Sequence, residues 1–237
     1  MKIGAPEWKR LLEEGGKQMG IDIGPDCVDQ LSFHAEALAI WADKINLTAI
    51  RDPLEVAVKH YLDSLAPAKM IPSNAILLDA GTGAGFPGIP LKIVIPSVSA
   101  TLVDASRKKV SFLKHVIRAM GLEKIEALQG RVEELPPKPL YDVIVSRAMS
   151  DLEAFVVKAG SLLRFGGRFI AFKGNDVREE IDRLKRRLPV RVEIHPYRLP
   201  FIDSERLLVV ICPVIRPSEV SGFGFRVSGG SWEGSEH

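Results

Sequence analysis

The sequence contains little cysteine: Cys27 and Cys212 lie far apart in a chain of 237 residues. It has no Cys-x-x-Cys pair and no cluster of cysteine and histidine, which argues against a disulfide framework or a structural zinc site and favours a reducing compartment. No apolar run approaches the ~20 residues that a membrane-spanning helix needs, and the N-terminus lacks an apolar signal segment. We therefore expect a cytoplasmic protein that contacts no membrane and binds no metal.

The chain also lacks a strong net charge. Its formal charge of +2 does not by itself indicate a protein that binds nucleic acid. Basic side chains are nevertheless concentrated at 107–109 and again at 183–191. Each cluster alone is more typical of a solvated helix face, but if a polyanion binds, these side chains are the first candidates for contacts with its phosphates.

Helical periodicity dominates the first part of the chain. Apolar residues recur every three or four positions from residue 26 to about residue 44. The stretch 52–55 then offers a capping aspartate, a proline for the first turn and a glutamate that completes a capping box. Because no glycine occurs between Gly24 and Gly81, we assign residues 1–72 to a helical extension that packs directly on the following domain.

From residue 75 onward, segments typical of strands and helices alternate, which predicts an α/β fold with a mostly parallel sheet covered by helices on both faces. The predicted strands are 75–80, 100–104, 124–128, 141–146, 168–173, 190–197 and 205–212, and the predicted helices are 88–95, 106–120, 150–163 and 176–187. The loop 199–204 is too short for a parallel crossover, so the last two strands should form an antiparallel hairpin. A seven-stranded sheet of this order is typical of Rossmann-like class I methyltransferases and not of two mirrored dinucleotide-binding halves.

An aspartate near the end of the first predicted strand is followed by three alternating glycines: Asp79-x-Gly81-x-Gly83-x-Gly85. Glycine permits positive φ and carries no Cβ that would block the approach of a ligand to the backbone. In open α/β sheets, ligands bind outside the carboxyl ends of the strands, where this loop is expected. The stretch therefore predicts a site for a nucleotide-like cofactor.

A nicotinamide-dependent oxidoreductase is one interpretation of this loop. Gly83-x-Gly85-x-x-Gly88 satisfies the dinucleotide fingerprint, and Asp104 follows about 20 residues later, as expected of its ribose-binding acid. Asp104 can bind ribose hydroxyls in a methyltransferase as well, and its structural alternative is the N-cap of the helix that begins near Ser106.

Two features favour S-adenosyl-L-methionine over a dinucleotide. Asp79 suits a ligand that carries a sulfonium and an ammonium group, whereas it would repel a pyrophosphate. Pro87 and Pro90 flank the predicted helix start and remove amide donors that would otherwise bind a pyrophosphate.

The stretch 78–91, LDAGTGAGFPGIPL, resembles the first motif of the ribosomal small-subunit RNA guanine-N7 methyltransferases, the RsmG or GidB family. Four further stretches resemble the same family, in the same order and with compatible spacing: 45–51, 60–65, 145–148 and 172–174. The resemblance extends from about residue 38 to residue 212. It implies an enzyme that uses S-adenosyl-L-methionine to form 7-methylguanosine in 16S ribosomal RNA (rRNA), with this rRNA or the small ribosomal subunit as partner.

The cofactor positions of that family correspond to Gly81, Phe86, Val132, Glu133 and Arg147. Phe86 stands where leucine is common. The resemblance makes Glu133 a partner for the adenine amino group, although a surface acid is its plainer interpretation. We assign residues 73–217 to the methyltransferase domain, and we expect the tail 218–237, rich in glycine and serine, to be disordered.

The end of the fourth predicted strand, Val145-Ser146-Arg147, should face the methyl group, and the main task of the enzyme is then to align the reacting atoms. Enzymes that methylate an exocyclic base amine carry an Asn/Asp-Pro-Pro-aromatic motif there, which this chain lacks, and neither cysteine is placed to attack a pyrimidine. Guanine N7 fits these absences, because it has a lone pair and no proton to remove. Arg147 is the predicted catalytic residue; it could orient the base at O6, hold the cofactor or form a structural ion pair.

Further substrate contacts are predicted around this strand end. Ser146 lies on it, and Asn46, Arg51 and His60, in or beside the N-terminal helices, could form a substrate-facing wall, although His60 alone is more typical of a packing residue. Lys173 ends the fifth strand on the same side and could bind an RNA phosphate. We expect a monomer that recognises structured rRNA. A non-catalytic ribosome-assembly protein is a third hypothesis, weakened by the intact cofactor loop.

Overall fold

A computed structural model of the chain describes residues 1–42, 44–137, 140–149, 151–174 and 176–214. The tail 218–237, which the sequence predicts to be disordered, lies outside the described residues.

The strands form one mixed sheet with the order β3-β2-β1-β4-β5-β7-β6. They are β1 (Ile76–Ala80), β2 (Ser99–Asp104), β3 (Ile125–Gln129), β4 (Tyr141–Ser146), β5 (Leu163–Lys173), β6 (Val190–Arg198) and β7 (Glu205–Pro213). The pairs among β1 to β5 are parallel, and β7 is antiparallel to both β5 and β6. The predicted α/β sheet with a terminal hairpin is confirmed. β5 begins at Leu163 rather than at 168, because the segment before Arg168 still pairs with β4 through a register shift.

The helices are α1 (Pro6–Gln18), α2 (Pro25–Ala42), α3 (Pro53–Glu55), α4 (Asp63–Leu65), α5 (Gly88–Val94), α6 (Arg107–Ala119), α7 (Leu152–Ala159) and α8 (Arg178–Arg187). A π-helical segment, Val56–Leu62, joins α3 to α4, so that helix 53–65 is continuous. The predicted cap is present, since the side chain of Asp52 accepts the N–H of Glu55 at 3.0 Å.

Helix α1 lies in the predicted helical extension, but the sequence patterns give it no bounds, because Gly15 and Gly16 in its second half are poor helix formers. A Cβ on Gly15 would lie 2.3 Å from Leu62 Cδ1, and one on Gly16 would lie 2.7 Å from Ile23 Cδ1. Glycine therefore lets α1 pack tightly against helix 53–65 at Gly15 and against the segment that follows α1 at Gly16.

Buried apolar side chains cover both faces of the sheet. One cluster joins α1, α2, helix 53–65, α5 and α6 to strand residues such as Leu102, and a second joins α7 and α8 to Leu78 and Ala80. Side chains alternate across a strand, so Leu77 and Asp79 of β1 point to the face opposite Leu78 and Ala80. The N-terminal helices thus share one hydrophobic core with the sheet.

The β6–β7 hairpin contacts the N-terminal helices, and the two cysteines lie in separate elements. Tyr197, near the end of β6, donates its hydroxyl to Asp63 Oδ1 at 2.6 Å, which ties the hairpin to helix 53–65. Cys212 of β7 lies opposite Arg191 of β6 at the other end of this hairpin, and Cys27 lies in α2 beside the carbonyl of Ile93. Within the described ranges, no helix is long and apolar enough to cross a membrane.

Candidate active site

The buried carboxyl group of Asp79 holds the glycine loop in place. Asp79 is 0% exposed, and its Oδ2 accepts the hydroxyl of Thr82 at 2.6 Å and the N–H of Gly88 at 2.7 Å. Burial raises the pKa of this carboxyl to about 7, although both hydrogen bonds oppose the shift. Asp79 therefore fixes the shape of the loop, and its Oδ1 is buried without a hydrogen-bond partner among the described residues. Its predicted contact with a cofactor remains a prediction.

The three alternating glycines adopt the left-handed backbone conformation that their spacing predicts. Their φ values are +74° at Gly81, +62° at Gly83 and +99° at Gly85, a region that side chains with a Cβ rarely occupy. A Cβ on Gly81 would lie 2.9 Å from that of Ala148, just after β4. A Cβ on Gly83 would meet nothing within 4 Å. The loop thus approaches the end of β4 at Gly81 and leaves open space at Gly83.

Asp104 connects the loop to the end of β2. Its Oδ2 accepts the N–H of Gly83 at 2.9 Å, and its Oδ1 accepts the N–H of Ser106 at 2.8 Å. Ser106 itself is the N-cap of α6, since its hydroxyl accepts from Lys109 N. The alternative that assigned the cap to Asp104 is therefore wrong, and the carboxylate stands at the carboxyl edge of the sheet beside the loop.

The segment after β3 brings an apolar and an acidic side chain to the same edge. The N–H of Gly130 donates to the main-chain carbonyl of Asp104 at 3.2 Å. Val132 is buried, whereas Glu133 is exposed and lies 3.3 Å from Lys158 Nζ. A hydrogen bond from its own backbone N–H is the main cause that lowers the pKa of the Glu133 carboxyl, and Lys158 lowers it further.

Arg147, just beyond β4, lies between helix 53–65 and the glycine loop. Its Nη1 donates to Ser64 Oγ at 3.1 Å and to the carbonyl of His60 at 3.3 Å, and it lies 3.5 Å from Asp63 Oδ2. The Cζ atom stands 5.8 Å from the centroid of the Phe86 ring. Arg147 therefore forms an ion pair, which was one of its three interpretations. This ion pair holds the guanidinium beside Phe86, a predicted cofactor residue.

His60 packs against the same aromatic ring. The rings of His60 and Phe86 are stacked with centroids 4.7 Å apart, and Nε2 lies 2.8 Å from Thr48 Oγ1. Nδ1 is buried and has no hydrogen-bond partner among the described residues. Burial, with a smaller contribution from Arg147, lowers the pKa of His60 to about 3, so the imidazole is neutral near pH 7.

His34, which the sequence did not single out, anchors the loop from the other side. Its Nε2 lies 3.0 Å from the carbonyl of Ala84, and its Nδ1 lies 2.9 Å from the hydroxyl of Tyr61. Because a carbonyl only accepts, Nε2 carries the proton and Nδ1 accepts from Tyr61. Complete burial lowers the pKa of His34 to about 4.

The other predicted substrate residues lie in different environments, from the core to the surface. Ser146 is 1% exposed, and its hydroxyl donates to the carbonyl of Ala80 at 2.7 Å, so it locks β4 to β1. Lys173 pairs with Glu180 at 2.8 Å. Asn46 and Arg51 are exposed beside the N-terminal helices. Their proposed contacts with substrate remain predictions. In the part of the chain that the structure describes, no three histidine, cysteine, aspartate or glutamate side chains are grouped to hold a metal ion.

Solved structures of methyltransferases share the Rossmann-like fold of this chain. A SAM-dependent methyltransferase from Aquifex aeolicus has a TM-score of 0.52 at 17% identity, over 70% of this chain and 96% of its own. TYW2 from Pyrococcus horikoshii, solved in complex with MeSAdo, has a TM-score of 0.52 at 15% identity, over 64% of this chain and 61% of its own. At such identities the likeness establishes the fold alone.

Sequence relatives are more specific. The family model of rRNA small subunit methyltransferase G, GidB, matches residues 28–209. Ribosomal RNA small subunit methyltransferase G of Geobacter sulfurreducens is 40% identical over 208 residues, which cover 85% of this chain and 96% of the relative. The protein of the same name from Geotalea uraniireducens is 41% identical over 209 residues, covering 86% and 95%. The chain belongs to the GidB family, which confirms the resemblance seen in its motifs.

The nicotinamide alternative is not supported. The antiparallel β7 between β5 and β6 departs from the strand order of the dinucleotide-binding fold. In addition, the N–H of Gly88, which would face a pyrophosphate in that register, is bound to Asp79 Oδ2. The strand order observed in this chain matches the sheet predicted for a methyltransferase.

Substituting Gly88 by alanine should disrupt the loop. A Cβ there would lie 2.2 Å from Leu102 Cδ2 and 2.8 Å from Asp79 Oδ2, so we expect about 1–3 kcal/mol of destabilisation from overpacking and weaker binding of S-adenosylhomocysteine. Urea unfolding and titration calorimetry measure both effects. Gly160→Ala is the control, because a Cβ at Gly160 meets nothing within 4 Å and its φ is −59°. Equal behaviour of the two variants would contradict the role of Gly88.

Proposed function

We propose that the chain transfers a methyl group from S-adenosyl-L-methionine to N7 of a guanine in 16S rRNA. Membership of the GidB family carries the proposal, since relatives named ribosomal RNA small subunit methyltransferase G match along almost their whole length. The sheet edge supports it, because the glycine loop, Asp104 and Arg147 lie at the carboxyl ends of the three adjacent strands β1, β2 and β4.

The residues around the loop fit S-adenosyl-L-methionine. We assign the ribose hydroxyls to Asp104, whose carboxylate oxygens each accept one N–H from the chain and keep further acceptor capacity. We assign the adenine to Val132 and Glu133, an apolar surface and an acceptor for an amino group. When bound, the cofactor supplies a methyl group on a positively charged sulfur.

The remainder of the cofactor is assigned to the loop itself. The open backbone at Gly83 permits close approach of a ligand, and Gly81 and Gly85 complete the same loop. The buried ring of Phe86 stacks on His60 and lies 5.8 Å from Arg147 Cζ. Asp79 supports this surface from below without being exposed to it.

The residues near Arg147 suit a nucleophile that needs no deprotonation. Guanine N7 is an acceptor on the major-groove edge of the base, and its lone pair forms the new bond to carbon as the carbon–sulfur bond breaks. The base becomes cationic in this step. The carboxylate of Asp63 offsets the charge of Arg147, so the guanidinium can donate to guanine O6 with less repulsion of the developing positive charge.

The substrate and location follow from the same assignment. We propose 16S rRNA or the small ribosomal subunit as partner, a cytoplasmic location and a monomeric enzyme. Arg51 and Lys173 are proposed RNA contacts, Asn46 and His60 line the predicted wall, and Ser146 acts by positioning the end of β4.

Methyl transfer in vitro tests the proposal. Purified chain, methyl-labelled S-adenosyl-L-methionine and small subunits from a strain that lacks the gene should yield 7-methylguanosine after nuclease digestion and mass spectrometry. Titration calorimetry should show binding of S-adenosylhomocysteine and none of NADH. Label in another nucleoside, or no label at all, would overturn the assignment of N7, and binding of NADH alone would overturn the cofactor.

A further inference from the structure

Helix α6 presents a basic surface that the chain does not neutralise. Its sequence, RKKVSFLKHVIRA, contains no acidic residue. Val110, Phe112, Leu113 and Val116 are buried against the sheet and α2, whereas Arg107, Lys108, Lys114 and Arg118 are exposed. We call these last four residues the α6 basic face.

Few ion pairs reduce the charge of this helix. Lys109 lies 3.9 Å from Asp104 Oδ2. Within the ranges that the structure describes, the four residues of the α6 basic face form no ion pair within 4 Å.

The basic cluster on α8 differs in this respect. Arg183 pairs with Asp151 and Glu153 of the α7 region, and Arg187 pairs with Glu153 at 2.9 Å. Arg191, in the following strand, lies 3.3 Å from Glu193. Much of the positive charge in 183–191 is therefore matched by local acids, as expected of a solvated surface.

The position of α6 relates its charge to the active site. The helix begins three residues after Asp104, at the carboxyl edge of the sheet where the glycine loop lies. From there it runs back along β2 and β3, so that Arg107 and Arg118 are separated by ~16 Å along the helix axis. A basic stripe of that length starts beside the cofactor loop and leads away from it.

We propose that the α6 basic face binds the phosphate backbone of the rRNA and so positions the target guanine at the end of β4. The inference rests on the proposed function, because the occupant is the rRNA substrate. Several phosphates of one strand fall within ~16 Å, since a nucleic-acid strand in duplex form carries one charge per ~3.4 Å along its axis. Contacts of this kind fix register and orientation without reading the base sequence.

A neutralised variant with a matched control tests the proposal. In the α6 variant, Arg107, Lys108, Lys114 and Arg118 are each replaced by glutamine. In the control, Arg178, Lys185, Arg186 and Arg191 are replaced by glutamine, which removes the same charge from exposed positions on and after α8. The measurements are KM for small subunits, kcat, Kd for protein-free 16S rRNA over a range of KCl concentrations, and Kd for S-adenosylhomocysteine.

For the α6 variant, we expect KM and the RNA Kd to rise roughly 10- to 100-fold near 0.1 M salt, and the slope of log K against log salt to fall by about 3. We expect kcat and the affinity for S-adenosylhomocysteine to stay within about threefold of the wild type, and the control to keep its RNA affinity. A pair variant, Lys114→Gln with Arg118→Gln, lies farther from Asp104 and should give about half the slope change.

Three results would overturn the inference. The first is an unchanged RNA Kd and salt slope in both α6 variants. The second is an equal loss of RNA affinity in the α8 control. The third is a loss of affinity for intact subunits but not for protein-free rRNA, which would mean that α6 docks on a protein. Failure of the wild type to methylate rRNA would overturn the proposed function as well. Retained binding of S-adenosylhomocysteine shows that each variant is folded, so that a loss of RNA affinity reports on the surface.

Discussion

Replacing Arg147 by methionine is expected to lower kcat by at least about 100-fold, because a small displacement of reacting groups costs that much in an alignment-dependent step. Arg147 is held by Asp63, Ser64 and the carbonyl of His60, beside the ring of Phe86. Methionine matches the arginine side chain in length as far as Nε and has no charge, so the variant removes the donors and leaves an apolar stem. Single-turnover assays with small subunits measure the effect.

The control is Arg164→Met. Arg164 also pairs with an aspartate, Asp142, at 2.5 Å, but it lies at the start of β5 on the opposite edge of the sheet. Its loss should leave kcat within about twofold. If both arginine variants keep their activity, or if Arg147→Met raises KM alone, the ion pair of Arg147 is structural and the base is oriented by other groups.

Asp63 offers a second test of the same network. In Asp63→Asn, Arg147 would keep its donors but lose the charge that offsets it, and Tyr197 would keep an acceptor. We expect kcat to fall less than in Arg147→Met, with binding of S-adenosylhomocysteine retained. Because Asp63 is largely buried, thermal melting must show that the variant is folded at the assay temperature.

The free energy of unfolding is expected to lose about 3 kcal/mol between pH 6.5 and pH 4 through His34 alone. The pKa of His34 is about 4 in the folded protein and 6.5 as the reference value, so the unfolded chain binds more protons in this interval. The stabilising contribution is therefore present above pH 6.5 and disappears as the pH falls through 4. Protonation also conflicts with the hydrogen bond that Nδ1 accepts from Tyr61.

Asp79 has the opposite effect in an overlapping interval. Its folded pKa of about 7 lies above the reference value of 3.8, so its contribution is greatest below 3.8 and is lost as the pH rises through 7. The pH profile of the wild type alone therefore mixes these two contributions with that of His60, whose folded pKa is about 3. The difference between wild type and His34→Gln isolates His34, because both proteins retain Asp79 and His60.

Urea unfolding at several pH values measures this difference. The advantage of the wild type over His34→Gln should shrink as the pH falls from 6.5 to 4, and NMR should show one imidazole that titrates near pH 4. His195→Gln, at a half-exposed position on β6, is the control for replacing a histidine by glutamine outside the core. A constant gap for His34→Gln would show that His34 is not buried in neutral form.

Local patterns predicted the elements that define the sheet, because each strand carries its own apolar run and its own turn signals. The glycine loop was predicted for the same reason, since three alternating glycines in 81–85 have a direct conformational meaning. The bounds of helix α1 were not predicted, because Gly15 and Gly16 disfavour a helix. Glycine is needed at these positions because neighbours such as Leu62 leave no room for a Cβ.

Contacts between distant parts of the chain account for what the site residues do. The sequence placed Ser146 at the end of β4, but its bond to the carbonyl of Ala80 depends on how β4 and β1 pair. The ties from His34 to Ala84 and from Asp63 to Tyr197 join segments that carry no shared motif. Such partners become visible only once the helices have packed on the sheet.

Mapping of 16S rRNA in a strain that lacks the gene is the most direct test of the assigned reaction. Mass spectrometry of the rRNA should show that one 7-methylguanosine disappears and returns when the wild-type gene is restored, but does not return with Arg147→Met. An unchanged set of 7-methylguanosines in the deleted strain, or the loss of a different modified nucleoside, would contradict guanine-N7 methylation as the reaction of this chain.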